Sequence, residues 1–339
     1  RFKKMNDEEL KEKYLLKGYP KLETSTVALI KEAIKQGINY EIIDEDRSFI
    51  KLYNNNKTEY VIQATRTSKD SYIFPYIVND KEFVKQMLRD KKITVPDGIV
   101  LESSMSSKKK ENLISKFANK RVVVKPRTTN CGIGITVFDK PATLEELQIA
   151  VDYAFEFDSN ILIEDYAEGL EYRFVVINGK CISVVHRRSS SVVGDGKKTI
   201  KELMADKDKE PWHYILDNPM VIDEPLKLFL KNQNLTLNSI PEKGQRIFLR
   251  RNSNCSTGGE SVDVTDTMPE RFKKVAEKAA KIFKAKICGI DILINDINRP
   301  EYSIVEVNEN PGICINEWPY EGKGERIGLE ILKLLKFVD

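Results

Sequence analysis

Histidine is nearly absent from this chain of 339 residues, which contains only His186 and His213. The five cysteines lie far apart without a Cys-x-x-Cys pair, and an odd number cannot be fully paired within one chain. These two shortages argue against zinc and against a relay of histidines, and they favour reduced thiols in a cytoplasmic protein. Any catalysis must then rest on carboxylates, lysine, arginine and the backbone.

Long apolar runs and an excess of one charge are also missing. The chain has no apolar run of about 18 residues, and its basic start is followed by no apolar segment, so we expect neither a membrane span nor a signal peptide. The 55 Lys and Arg residues nearly balance the 52 Asp and Glu residues, which leaves a formal charge of +3. This balance, without a basic aromatic face, argues against a nucleic-acid partner.

Hydrophobic periodicity divides the chain into three predicted units. The first has a helix and short strands, the second has strands around a glycine-rich loop, and the third alternates strands with a long helix near its end. Their bounds are 1–80 for an N-terminal α/β subdomain, 81–165 for a smaller α+β lobe and 166–339 for a larger α+β lobe. We expect the polar stretch 204–238 to be a solvated loop with helices, the alternative being a cover over a site.

Three oxygen-bearing side chains interrupt two apolar strands near the end of the chain. Glu306 and Asn308 share one face of the predicted strand SIVEVN, because side chains alternate with a period of two. Asp291 places a carboxylate in the strand GIDILIN, which we expect to be the antiparallel neighbour. Mg²⁺ prefers such oxygen ligands, so the three residues predict a magnesium site. The alternative is a sheet with one solvent-facing side.

Two further segments have the composition of a phosphate site. VVVKPRTTNCGIGITVF places Lys125 at the end of an apolar strand and Gly132 and Gly134 in the loop that follows, where backbone amides can approach an anion. The segment is not a Walker A loop. FLRRNSNCSTGG gathers Arg250, Asn254 and other donors that can clamp a transferring phosphoryl group.

Taken together, these segments resemble the ATP-grasp fold over nearly the whole chain. Within that fold they look most like the synthetase module of bifunctional glutamate-cysteine ligase/glutathione synthetases. The shared segments are LETSTVALIKEAIKQG, VVKPRTTNCGIGI, VVGDGKKTIKEL, LRRNSNCSTGGESVDVTD, VEVNENPG and WPYEGKGERIG. Cyanophycin synthetases share the VVGDG and STGG elements. The resemblance implies a mixed α+β and α/β architecture, in which two α+β lobes clasp ATP and a small α/β subdomain precedes them.

The resemblance also implies which residues bind the nucleotide. Lys125 would bind the α and β phosphates, while Gly132 and Gly134 would form a flap that closes over them. Glu171 would hold the ribose, and Arg173 would face phosphate or substrate. The residues expected at the adenine are Glu164 and the backbone of Asp165, Tyr166 and Ala167.

Metal binding and phosphoryl transfer are implied for a second group of residues. Two Mg²⁺ ions, for which Mn²⁺ would be a substitute, would be carried by Asp291, Glu306 and Asn308. The residues expected to stabilise the transferring phosphoryl group or to face the substrate are Arg250, Asn254 and Arg187.

The implied reaction is an ATP-dependent ligation of a carboxylate to an amine through an acyl phosphate, as in glutathione synthesis from γ-glutamylcysteine and glycine. The alternatives are another amino-acid or peptide ligase of the cyanophycin or D-alanine type, and a non-catalytic ATP-binding regulatory protein. Residues 189–191 are Ser-Ser-Ser where relatives carry a Pro-Ala-Asn type turn, which leaves the substrate open. The expected partners are small peptide or amino-acid substrates and an upstream glutamate-cysteine ligase domain or protein. A homodimer is left open.

Overall fold

The computed structural model describes residues 12–129, 133–210, 212–213, 219–251, 253 and 255–339. The described helices are α1 Thr24–Lys35, α2 Phe74–Val78, α3 Lys81–Asp90, α4 Ser107–Ile114, α5 Leu144–Phe155, α6 Ile200–Lys207, α7 Glu224–Lys231, α8 Glu270–Ile282, α9 Cys314–Glu317 and α10 Ile327–Leu334. The described strands are β1 Asn39–Asp44, β2 Phe49–Asn54, β3 Lys57–Ile62, β4 Gly98–Glu102, β5 Lys120–Pro126, β6 Thr136–Ala142, β7 Asn160–Asp165, β8 Leu170–Ile177, β9 Lys180–Arg188, β10 Ser191–Val193, β11 Arg246–Phe248, β12 Glu260–Asp263, β13 Ile287–Ile294 and β14 Ser303–Asn308. Within these ranges, every helix is too short or too polar to cross a membrane.

The N-terminal sheet is an antiparallel meander in the order β1-β2-β3. Helix α1 packs against this unit, and its Val27, Leu29 and Ile30 are fully buried. The same apolar cluster includes Val175 of β8 and Ile331 of α10. The N-terminal unit therefore shares its core with the later part of the chain.

A four-stranded antiparallel sheet follows in the order β4-β7-β5-β6. Helix α5 begins with a capping box, in which the side chains of Thr143 and Glu146 each accept from the other's backbone N–H. The buried side of α5 packs on the sheet through Leu147 and Val151. Strand β5 of this sheet carries Lys125 near its end, before the predicted glycine-rich loop.

The largest sheet has five antiparallel strands in the order β12-β9-β8-β13-β14. Helix α8 covers one face through Phe272 and Ala276. Pro269 is its N-cap residue, and Lys284, just beyond its end, adopts a left-handed conformation with a φ of 53°.

Helix α3 packs on the same face of the five-stranded sheet. Its Val84 and Leu88 belong to one apolar cluster with Phe174 of β8 and Phe272 of α8. The predicted unit 81–165 therefore begins with a helix that packs on the larger sheet. The bounds 1–80, 81–165 and 166–339 stay predictions as domain boundaries.

The described part of residues 204–238 contains helices, as expected, but these pack around an apolar core, so the expectation of solvation is wrong there. Helices α6 and α7 and the ribbon β10-β11 bury a shared cluster that includes Met204, Leu226, Leu230 and Leu249. The apolar residues are scattered among Lys and Asp in the sequence, but helical spacing brings them to the inner faces of two helices. We call residues 200–238 the insertion.

Candidate functional site

The three predicted metal ligands come together on neighbouring strands. Asp291 of β13 and Glu306 of β14 are cross-strand partners, and the register shifts immediately after Asp291. Asn308 Nδ2 lies 3.3 Å from Asp291 Oδ2 and 3.5 Å from Glu306 Oε2. The period-two alternation of the sequence therefore predicts this grouping correctly.

Two arginines share Asp291, which is 1% exposed. Arg173 is its cross-strand partner on β8 and binds both carboxylate oxygens, with Nη2 at 2.7 Å from Oδ2. Arg187 Nη1 lies 3.3 Å from Asp291 Oδ2 and 2.6 Å from Glu171 Oε1. Burial raises the pKa of Asp291, but the charge and hydrogen bonds of Arg173 outweigh burial and hold that pKa below its usual range.

These contacts differ from the orientation that the family resemblance implies for the arginines. Arg173 and Arg187 are expected to face phosphate or substrate, and Glu171 is expected to hold a ribose. In the structure both guanidinium groups bind carboxylates, and Glu171 also accepts a hydrogen bond from Ser253 Oγ. Strand order explains the difference, because β8 lies between β9 and β13 and so brings these charges side by side.

The chemistry of the oxygen donors fits a magnesium ion. Burial and the nearby charge of Asp291 raise the pKa of Glu306, although the positive charges of Arg173 and Lys81 act against them. Asp291 and Glu306 are two close carboxylates, the hard, anionic ligands that Mg²⁺ binds, and Asn308, whose Nδ2 faces them here, carries an amide oxygen as a further candidate ligand. The described residues contain no cluster of three or more His, Cys, Asp or Glu side chains arranged for a metal, so Asn308 completes the set.

A buried pair of lysines lies on the other side of the site. Lys125 Nζ is 2.8 Å from Glu164 Oε2, and Lys85 Nζ contacts Glu164 Oε1. Burial lowers the pKa of Lys125 to about 8, with the charge of Lys81 acting in the same direction. Burial also lowers the pKa of Lys85, together with the charge of Lys125. Since the pKa of Lys85 falls to about 5, Lys125 is the charged lysine of the pair near neutral pH and is the group suited to bind an anion.

Lys85 is a candidate residue that sequence reasoning misses. It is 2% exposed on α3, one helical turn after Lys81 and next to the buried Val84. Lysine on the buried side of a helix is rare unless it is paired, so this position is a usable signal. Its partner Glu164 was expected at the adenine, but the carboxylate points at the lysines and is 2% exposed.

A shallow opening of about 360 Å³ lies where the chain passes from β7 to β8. It is lined in part by Arg121, Tyr166 and Leu170. The Tyr166 N–H donates to the Arg121 carbonyl at 3.1 Å, and the Asp165 N–H donates to the Asp97 carbonyl at 2.8 Å. The predicted base-binding segment therefore borders an opening, but these two backbone donors are already engaged. Ala167 follows them and is half-buried.

Two of the predicted site residues, Gly132 and Asn254, lie outside the described residues. Gly134 has a φ of 73°, and a Cβ there would lie 2.6 Å from Pro126 Cγ and 2.8 Å from Phe157 Cδ2. Glycine is therefore required at this end of the flap both by backbone conformation and by space.

Arg250 follows β11 and is 9% exposed. Its Nη2 donates to the Val221 carbonyl at 2.6 Å and lies 2.9 Å from Asp223 Oδ2, so the insertion holds it. The loop after Arg250 reaches the arginine network through the contact between Ser253 and Glu171. The structure thus connects the insertion, the Arg250 loop and the acidic strands in one continuous region.

Family models match three parts of the chain. They are described as ATP-grasp-like domain over residues 21–73, D-ala D-ala ligase C-terminus over residues 87–199, and RimK-like ATP-grasp domain over residues 244–320. Two of the three models describe ATP-grasp domains, and the third describes part of a ligase.

Similar proteins extend the match to nearly the whole chain. The glutathione biosynthesis bifunctional protein of Clostridium perfringens is 43% identical over 94% of this chain and 42% of its own length. That of Enterococcus faecalis is 39% identical over 95% of this chain and 44% of its own length. The crystal structure of a bifunctional glutathione synthetase from Pasteurella multocida has a TM-score of 0.74 at 35% identity, over 96% of this chain and 45% of that chain. The chain thus spans less than half the length of these relatives.

Proposed function

We propose that this chain, which belongs to the ATP-grasp superfamily and has the predicted α+β ATP-grasp fold, is a ligase of the glutathione synthetase type. Its membership follows from the family models and from the likeness to bifunctional glutathione proteins along nearly its whole length. ATP-grasp ligases use ATP and divalent metal ions. The proposed reaction joins γ-glutamylcysteine to glycine with ATP.

One observation carries this proposal: the buried Lys125 lies within electrostatic range of a pair of close carboxylates, Asp291 and Glu306. The charges of Lys125 and Glu306 act on each other's pKa, so the two groups lie within electrostatic range. A metal–triphosphate complex needs cations for its phosphate oxygens and oxygen ligands for its metal ions. Both kinds of group are present here side by side.

The residues of the site would divide the work of binding. Lys85 and Lys125 would bind phosphate oxygens of ATP, and Asp291, Glu306 and Asn308 would hold the predicted two Mg²⁺ ions. When bound, Mg²⁺ supplies positive charge that neutralises the triphosphate. Arg173 would keep Asp291 ionised and oriented.

The proposed chemistry needs no covalent enzyme intermediate. The γ-phosphoryl group of ATP passes to a carboxylate oxygen of the first substrate, and ADP is released. The amine nitrogen of the second substrate then attacks the acyl carbon, phosphate leaves, and the nitrogen loses its proton to give the amide. Arg250 and Asn254 would stabilise the charge on the group in transfer, with Arg187 facing the substrate. The flap around Gly134 would exclude water from the acyl phosphate.

The direct test is a ligation assay with purified protein. Incubation with ATP, Mg²⁺, γ-glutamylcysteine and glycine should release ADP and phosphate and produce the tripeptide. Omitting glycine should remove the signal, because the acyl phosphate then has no amine acceptor. Release of ADP no faster than in the enzyme-free blank would contradict the proposal.

A second candidate is a ligase for other amino acids or peptides, favoured by the match of residues 87–199 to a D-ala D-ala ligase model. A screen of amino-acid pairs for ADP release separates it from the first candidate. ATP binding without turnover under every pair would instead indicate a regulatory protein. The same proposal includes a cytoplasmic location and a homodimer. It also includes a glutamate-cysteine ligase, in the same or another polypeptide, that supplies γ-glutamylcysteine.

A further inference from the structure

Arg250 is held by the insertion from two sides. Both contacts are made by Nη2, to the carbonyl oxygen of Val221 at 2.6 Å and to Asp223 Oδ2 at 2.9 Å. The two partners lie in the segment that leads into α7. The orientation of the guanidinium group therefore depends on where this short segment lies.

The Nε edge of the guanidinium group makes no such contact with the described residues. Arg250 is 9% exposed, yet its Nε–H has no hydrogen-bond partner within the described part of the chain. A buried donor without a partner destabilises a fold, so a structure rarely keeps one unless something binds it. An anionic oxygen, such as that of a phosphoryl group, suits this donor.

Asp223 joins the position of Arg250 to the folding of α7. The same side chain is the N-cap of that helix, because Oδ1 accepts a hydrogen bond from the Leu226 N–H at 2.9 Å. One carboxylate oxygen thus caps the helix while the other binds Arg250. A carboxylate held at both oxygens has little freedom to rotate.

The segment before Asp223 is also fixed against the loop that contains Arg250. The Met220 N–H donates to Asp208 Oδ1 at 2.8 Å, and the Met220 side chain belongs to the core of the insertion. Gly258 has a φ of 83°, and a Cβ there would lie 2.9 Å from Met220 Cγ. The insertion and the loop therefore touch so closely that only glycine fits between them.

We propose that Asp223 is a positioning residue, which aims the Nε–H of Arg250 at the transferring phosphoryl group. The insertion then holds the Arg250 side chain in a fixed orientation during the reaction. This inference rests on the proposed function, since it assumes phosphoryl transfer at this site. Asp223 itself touches no reacting atom.

Asp223→Asn is the informative variant, because asparagine remains a good N-cap but loses the charge that binds Arg250. We expect kcat to fall about 10-fold to 100-fold, as small misplacements of catalytic groups do, while KM for ATP changes less than about threefold. Thr199→Ala is the matched control. It removes the capping box of α6 in the same insertion without touching Arg250, and should leave kcat nearly unchanged.

A double-mutant cycle separates positioning from stability. If Asp223 acts through Arg250, Asp223→Asn should have no further effect on kcat in an Arg250→Ala background. Equal effects of Asp223→Asn in both backgrounds, or a kcat within twofold of wild type, would overturn the inference.

Nucleotide binding gives a readout that does not depend on finding the right substrates. ADP with aluminium fluoride imitates a phosphoryl group in transfer, and its affinity can be measured by calorimetry against that of ADP alone. Asp223→Asn should weaken the complex with aluminium fluoride about 10-fold and leave ADP unaffected. If Asp223→Asn weakens both complexes equally, or weakens neither of them, the role of Asp223 is contradicted. A failed ligation assay alone would contradict only the proposed reaction.

Discussion

The two edges of the five-stranded sheet each carry a carboxylate in a cluster of charges, and the two clusters are built differently. At one edge, Glu260 of β12 is fully buried and has three cationic or titratable partners. Arg188 Nε lies 2.7 Å from Oε2, Lys207 contacts Oε1, and His213 Nε2 lies 3.8 Å from Oε1. At the other edge, Glu306 of β14 faces a second carboxylate.

The pKa values report the difference between the edges. Burial raises the pKa of Glu260, but His213, Lys207 and Arg188 outweigh it and lower the value to about 2. Burial and the charge of Asp291 raise the pKa of Glu306. The first carboxylate is fully compensated by the protein and joins the insertion to the sheet. The second is poorly compensated, which is the condition expected where a ligand supplies the missing charge.

Of the variants at these two edges, Glu306→Gln should cause the largest change, and that change should be in catalytic activity and not in stability. Glutamine keeps the shape but removes a charge from the donor set, so we expect kcat for ADP release to fall about 1000-fold. The free energy of unfolding should stay the same or rise slightly, because like charges on facing strands repel. A coupled ADP assay and urea unfolding measure the two quantities. Turnover within tenfold of wild type would remove Glu306 from the site.

Glu260→Gln should give the opposite result. Breaking a buried ion cluster leaves Lys207 and Arg188 without their carboxylate, so we expect a loss of about 3 kcal/mol in the free energy of unfolding. Urea unfolding measures this loss, with the exposed Glu301→Gln as a matched control. Activity of the folded variant should fall far less than that of Glu306→Gln. A stability within about 0.5 kcal/mol of wild type would show that the edges do not differ in this way.

The sequence predicts the acidic edge better than the other. A strand period of two is a local rule, so it places Glu306 and Asn308 on one face and Asp291 on the adjacent strand. The pairing of Asp291 with Arg173 depends on the order of strands in the sheet, which local spacing does not encode. For the same reason the spacing of residues in the sequence does not predict that the Glu164 carboxylate contacts Lys85.

The insertion shows the other limit of sequence reasoning. Its composition is polar, yet Met204 and Leu230 are buried, because a core needs few residues when two helices and a ribbon supply them from three sides. The sequence also does not predict the role of Glu260. Its partners Lys207 and His213 belong to the insertion and are about 50 residues away from it in the chain.

Acid should distinguish the two edges by the sign of the pKa shift. The folded-state pKa of Glu260 is about 2, below the ordinary value of 4.5, so its ionised form stabilises the fold. That stabilisation is present above the ordinary value and is lost as the pH falls toward about 2. Between about pH 5 and about pH 3, wild type should lose about 2 kcal/mol more unfolding free energy than Glu260→Gln. Parallel pH profiles of the two proteins, from urea unfolding, would contradict the assignment.

The smallest expected effect concerns the solvent-facing side of the Glu260 cluster. Glu321 Oε1 lies 2.6 Å from Arg188 Nη2, but its side chain is 47% exposed. Glu321→Gln should therefore lower the free energy of unfolding by less than about 1 kcal/mol, and the loss should shrink in about 1 M salt, because exposed ion pairs are weak and screened. Urea unfolding at low and high salt measures both. A loss as large as that of Glu260→Gln would mean that Arg188 is held from outside the sheet. The compensation at this edge would then be a surface property, and the buried contacts of Glu260 with Lys207 and Arg188 would no longer explain why the pKa values of Glu260 and Glu306 differ.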